Sequence, residues 1–168
     1  MNFGLDDASG ASFQERYYCN NLCIAHLDLY TREIVGFSVM LTHSVTLVMN
    51  ALLSAISKHP HPVIIHSDHG SEYTSKDYVT LNEQLGITMS MSKKGSPWEN
   101  GYQESSYSQF KVDLGDPGRF ASLGELVYDI YQTIHSYNTK RIHTALKMPP
   151  AVFAKRHQRS ELLVQEVS

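Results

Sequence analysis

Two apolar runs separated by only two residues constrain this chain more than any other feature. They are "NLCIAHLDLY", residues 21–30, and "EIVGFSVML", residues 33–41, with Thr31 and Arg32 between them. A link this short cannot carry a crossover to a parallel partner, so the pair predicts an antiparallel hairpin. Gly36, inside the second run, predicts a bulge or a close backbone approach. Downstream the period changes. In residues 44–58, "SVTLVMNALLSAISK", Val45, Val48, Leu52 and Ile56 recur at helical spacing, with Ser44 as the expected N-cap. The linker "HPHP", residues 59–62, leads to a short strand, "PVIIHS". A helix follows in "SKDYVTLNEQLG", with Val79, Leu81 and Leu85 as core positions and Gly86 as its stop. "ITMSMS", residues 87–92, alternates as a strand. Pro97 suits the start of a helix over "WENGYQESSYSQFKVDL". A last helix is expected from Leu123 to Tyr137, with "PPAVFAKRHQ" closing the domain. Antiparallel strands followed by alternating helices and strands predict a mixed α/β domain.

Length and charge narrow the class. A chain of 168 residues suits one domain with a real core. It holds no run of eighteen apolar residues and no signal-peptide pattern, so a cytoplasmic, non-membrane protein is expected. Cys19 and Cys23 have no second pair and read as reduced cysteines rather than zinc ligands. The net charge of -3 argues mildly against a nucleic-acid partner. Yet ten of the fourteen Lys and Arg residues fall after residue 90, so a phosphate-facing surface belongs in the C-terminal half.

The chemistry gathers in two places. "VIIHSDHGSEYTS", residues 63–75, runs an apolar strand into His66, Ser67, Asp68, His69 and Gly70. Asp68 is either a turn carboxylate bonding its own backbone or a metal ligand. Glu104 lies in the helix after Pro97, and Asn100, Ser108 and Lys111 share its face at offsets of four and seven. Such a stripe is either solvated or working. Two carboxylates converging on one point repel, and divalent ions such as Mg²⁺ remove that cost. A two-ion centre needs at least one further acid from another strand. His66 and His69 read as hydrogen-bonding supports behind that centre rather than as zinc ligands or a general base.

Together "VIIHSDHGSEYTS", "GITMSMSKKGSPWENGYQESSYSQFK" and "YNTKRIHTALKMPPAVF" resemble the catalytic core of bacterial insertion-sequence transposases, of the retroviral-integrase-like superfamily with a DDE triad. The likeness runs from "LDLYTREIVG" to about Phe153. The thirty-five residues between Asp68 and Glu104 match the family's spacing, and Lys111 matches its basic position. The resemblance implies a ribonuclease H-like fold. It implies that Asp68 and Glu104 are the second and third catalytic, metal-binding acids, holding two Mg²⁺ ions for which Mn²⁺ substitutes. It implies DNA strand cleavage and strand transfer on transposon-end and target DNA, by copies of the chain that self-associate on that DNA. Lys93, Lys94, Asn100, Lys111, Arg141 and His143 are the expected DNA-binding residues. Asp28 takes a structural or site-rim role, and Trp98 anchors its loop. The first acid departs from the family's pattern. Its usual place is eighteen residues before Asp28, where this chain has Gly10. Asp7, sixty-one residues before Asp68, is assigned as the first acid. The competing readings are a truncated or shifted start, or a decayed, inactive element that only binds DNA or dimerises. The expected organisation is a divergent first-strand region at 1–16, a core at 17–154 and a tail at 155–168. Recognition of transposon ends falls to a helix-turn-helix region, separate or fused upstream.

Overall fold

The computed structural model describes residues 12–18, 23–93, 101–116 and 119–165, with side chains described for 23–93, 105, 108–116 and 119–157. They fall into two compact units: residues up to 30 with 34–109, and residues 31–33 with 110 onward. Asp7, Lys94, Pro97, Trp98, Asn100 and Cys19 lie outside the described residues.

The first unit is built on a five-stranded sheet of order β3-β2-β1-β4-β5. Its strands are β1 Ser12–Tyr18, β2 Cys23–Asp28, β3 Ile34–Val39, β4 Ile64–Ser67 and β5 Thr88–Met91. β1, β2 and β3 pair antiparallel, while β4 runs parallel to both β1 and β5. The expected hairpin is therefore β2–β3. Arg32 turns its corner at φ 61, and Asp28 Oδ1 accepts the Tyr30 amide at 2.8 Å. Asp28 is thus a turn-bracing carboxylate at the strand end, buried to 8% exposure. β1 begins at Ser12, inside the segment whose composition reads as weakly patterned. Partners on both edges supply what the β-propensity of "SFQERYY" does not.

Helix α1, Val45–Ile56, covers the hairpin face. Leu47, Val48, Ala51, Leu52 and Ala55 are fully buried on it, and each large aliphatic contributes about 1.5–3 kcal/mol by leaving water. Gly36 provides the close approach. A Cβ there would lie 2.5 Å from the Ala55 nitrogen and 2.7 Å from the Ala51 carbonyl oxygen. The sheet irregularity falls on the facing strand, between His26 and Leu27. Ser44 does hold the N-cap position, but its hydroxyl makes no cap hydrogen bond.

Helix α2, Lys76–Gln84, is capped by Ser75, whose side chain accepts from the Tyr78 amide. Its buried residues are Tyr78 and Asn82, not the expected Val79; Leu81 and Leu85 only pack against the edge of the core. The helix turns its larger aromatic inward, where Tyr78 meets the buried Tyr73 edge to face at 5.8 Å. Gly86 ends it at φ +68.

Helix α3, Gly101–Leu114, begins in the first unit and ends in the second. In the second unit α4, Leu123–Thr139, starts at Ser122, which accepts the Glu125 amide, while Glu125 reaches back to the Ala121 amide at 2.9 Å. This reciprocal cap fixes the helix start. Ile130, Thr133, Ile134 and Tyr137 form its buried stripe. It is not the last helix. "PPAVFAKRHQ" opens α5, Pro150–Gln165, with proline at its first position, where the missing N–H costs nothing.

Candidate active site

Asp68 stands one residue beyond β4, at its carboxyl end and exposed. Both readings of this residue meet in the structure, because it makes a turn and still presents a carboxylate. Asp68 Oδ1 accepts the Gly70 amide at 2.9 Å, and no further hydrogen bond to its carboxylate is made among the described residues. The turn orients the side chain and leaves the second oxygen available.

The neighbouring strand fixes the backbone around it. The Ser92 amide donates to the Ser67 carbonyl at 3.1 Å, and the His69 ring (Nε2) bonds the Ser92 carbonyl at 2.7 Å. His66 Nδ1 bonds Ser90 Oγ at 3.0 Å. The two histidines beside Asp68 thus reach β5 and the residue after it, which ties the β4 and β5 ends together. Sequence reasoning missed three members of this arrangement: Ser92, Glu72 and His43. Glu72 is 8% exposed. Its Oε1 meets His43 Nδ1 at 2.8 Å and Ser71 Oγ at 3.1 Å. A Cβ on Gly70 would lie 3.1 Å from Asp68 Oδ1 and 3.2 Å from Glu72 Oε2. The two carboxylates thus both crowd the place a Cβ would take on this glycine. Only the position of Glu72 inside the "HSDHGSEY" cluster signals it; nothing in the sequence brings His43 there.

Glu104 lies in the first turn of α3, whose face carries the exposed Ser108 and Lys111 at the predicted offsets. Lys93 is exposed, directly after the Ser92 link to β4. In the second unit, Arg141 Nη1 meets Asp113 Oδ2 at 2.6 Å, so this guanidinium braces the end of α3. His143 bridges to Met148 through the backbone. Burial, with Arg32 and Arg141 nearby, holds its imidazole below the ordinary value. Among the described residues no three His, Cys, Asp or Glu side chains form a group able to hold a metal ion. The residues present still fit one in kind. Asp68 offers an oriented, exposed oxygen donor, the type hard cations prefer, beside a glycine on which a Cβ would press against that carboxylate at 3.1 Å.

An antiparallel hairpin, a parallel β1–β4–β5 half and a carboxylate at the end of β4 define a retroviral-integrase-like (DDE) core with a ribonuclease H-like fold. An integrase core domain model matches residues 13–97, and a second of the same description matches residues 85–150. The chain belongs to the integrase core domain family. It is 39% identical over 124 residues to the transposase for insertion sequence element IS904 of Lactococcus lactis, covering 72% of this chain and 49% of that protein. It is 32% identical over 124 residues to the putative transposase InsK for IS150 of Escherichia coli K12, covering 72% and 44%. The chain therefore spans about half the length of these relatives. The BIV integrase catalytic core aligns with TM-score 0.71 over 90% of this chain and 97% of its own, at 16% identity. The HTLV-2 integrase catalytic core, solved in complex with magnesium, aligns with TM-score 0.68 over 86% and 95%, also at 16% identity. These two likenesses are of fold.

Proposed function

We propose that this chain is the catalytic core of a DNA transposase that cuts a transposon strand and joins it to target DNA. The observation that carries the reading is the oriented carboxylate of Asp68 at the end of β4, braced by Gly70 and, through His69, by Ser92. The similarity to insertion-sequence transposases supports it. Asp68, Glu104 and a first-strand acid would hold divalent ions, Mg²⁺ with Mn²⁺ as substitute. Bound there, such ions supply nucleophile activation and stabilise charge on a leaving oxygen.

Water attacks the phosphorus at the transposon end, and the 3′ oxygen of the cut strand leaves. The freed 3′-hydroxyl then attacks a target phosphodiester, whose own 3′ oxygen leaves. The chain's residues hold the DNA for both steps. Lys93 contacts phosphate beside the β4–β5 ends, and Lys94 is a second phosphate contact. Asn100, Lys111, Arg141 and His143 are further DNA contacts. Copies of the chain assemble on transposon-end and target DNA, with end recognition assigned to a helix-turn-helix region, fused or separate.

A second reading is an inactive remnant that only binds DNA or dimerises. One observation favours it: β1, "SFQERYY", contains no aspartate. A strand-transfer assay separates the two, using duplexes that carry the ends of the encoding element, with Mg²⁺ or Mn²⁺. Joined product that disappears in Asp68→Asn, with DNA binding retained, is the expected result. No joining under either metal refutes the transposase activity of this chain.

A further inference from the structure

We infer that Glu72 is a positioning residue for Asp68: His43 clamps it so that its negative charge stays beside the Asp68 carboxylate and strengthens that carboxylate's hold on a divalent cation. This rests on the functional reading above. Glu72 lies in the turn between β4 and α2 and is only 8% exposed. A carboxylate is rarely buried unless it is paired. Here the partner comes from a different part of the sheet. His43 Nδ1, on the exposed loop between β3 and α1, meets Glu72 Oε1 at 2.8 Å, and Ser71 Oγ donates to the same oxygen at 3.1 Å. Glu72 Oε2 makes no hydrogen bond among the described residues.

Oε2 is therefore the oxygen left to act on its surroundings, and it lies at the Asp68 turn. From the place a Cβ would take on Gly70, Oε2 is 3.2 Å away and Asp68 Oδ1 is 3.1 Å away. The turn itself is fixed. The Gly70 carbonyl accepts the Tyr73 amide at 3.1 Å, and the Glu72 carbonyl accepts Ser75 Oγ at 2.7 Å. Asp68 cannot turn away without breaking its bond to the Gly70 amide, nor Glu72 without breaking its contact with His43. Like charges held this close repel, and a cation at Asp68 replaces the repulsion by attraction to both. Glu72 thus acts through space and through the position of Asp68, without itself touching the ion.

The test is Mn²⁺ binding to the full chain by isothermal titration, with circular dichroism to check folding. Wild type binds, and Asp68→Asn loses binding. Glu72→Gln keeps the side chain's size and an acceptor for His43 but removes the charge. It lowers affinity by about tenfold, the loss seen for groups behind metal ligands. Glu72→Asp returns the charge and recovers binding in part. His43→Ala also lowers affinity, and adding it to Glu72→Gln changes nothing further, because His43 acts through Glu72. A merely structural role for the pair would move the melting temperature and leave Mn²⁺ affinity alone. If Glu72→Gln folds and binds within about twofold of wild type while Asp68→Asn does not bind, Glu72 does not position Asp68 and the functional reading stands. If Glu72→Asp binds no better than Glu72→Gln, or His43→Ala and Glu72→Gln weaken binding independently, the inference is likewise overturned. Should Glu72→Gln not fold, His43→Ala on its exposed loop decides, and affinity within about twofold of wild type overturns the inference. If wild type fails to bind, or Asp68→Asn binds unchanged, the functional reading falls and the inference with it.

Discussion

Replacing Gly36 by alanine tests the packing that sets the sheet. The added Cβ would sit 2.5 Å from the Ala55 nitrogen, 2.6 Å from the Ala55 Cβ and 2.7 Å from the Ala51 carbonyl oxygen. Two of those three atoms are backbone, so a rotamer change cannot relieve the clash. Reaching ordinary contact near 3.4 Å would push α1 about 0.8 Å from β3, and a gap of that size forfeits a quarter to a half of a dispersion contact. Leu47, Val48, Ala51, Leu52 and Ala55 all move with the helix. The expected loss is about 3 kcal/mol, the upper end for overpacking. At this length that lowers the melting temperature by roughly 6–12 °C. Adding Ala55→Gly removes one contact of the three and restores the loss only in part. Gly86→Ala is the contrasting control: nothing lies within 4 Å of its Cβ, and only its φ of +68 opposes the change, costing about 1–2 kcal/mol. Thermal unfolding followed by circular dichroism reads all three. A Gly36→Ala protein melting within about 2 °C of wild type, a shift equivalent to under about 1 kcal/mol, would refute the close approach of α1 to β3.

At the site, Gly70→Ala would press on Asp68 Oδ1, Glu72 Oε2 and the Tyr73 ring at 3.1–3.2 Å. Tyr73 is buried and Glu72 is held by His43, so Asp68 yields. Mn²⁺ affinity should fall by about tenfold with little loss of stability, and unchanged affinity by titration calorimetry would contradict this. For pH, burial holds the imidazoles of His59 and His143 below their ordinary value; Asp28 opposes this at His59, and Arg32 and Arg141 reinforce it at His143. The unfolded chain then binds protons first, so this stability is complete above a pH of about 6.5 and is lost as pH falls through the folded values. Urea unfolding at pH 7 and 5 should show that loss, and the His59→Gln, His143→Gln double variant should show less of it; equal losses argue against the burial. For DNA, Lys93→Ala should weaken binding on all sequences alike and lower the salt slope by about one. Arg141→Ala should do so less, because Asp113 already engages its guanidinium. Equal salt slopes for the two variants by fluorescence anisotropy would count against that difference.

Much of the fold was legible because its signals are local. The two-residue gap at Thr31 and Arg32 implies the β2–β3 hairpin, and helical spacing from Val45 to Ile56 implies α1. Gly36 and Gly86 carry their meaning in their identity, since one lacks a Cβ where a helix must touch and the other takes a positive φ. The signals failed where a neighbour decides. β1 looks unpromising by composition and becomes the central strand through its partners on both edges. Val79 gives way to Tyr78 inside α2 because the core offers an aromatic, Tyr73, to meet.

For the site, the sequence by itself determined that Asp68 and Glu104 stand at the family's spacing and that Asp68 ends a strand. Both follow from counting along the chain. Only the tertiary structure decided that Ser90 and Ser92 engage His66 and His69, that His43 holds Glu72, and that Gln14 pairs with His66. Those relations join residues more than twenty apart in sequence, and they are set by strand register. No local periodicity encodes that register, because it arises only when the strands pair.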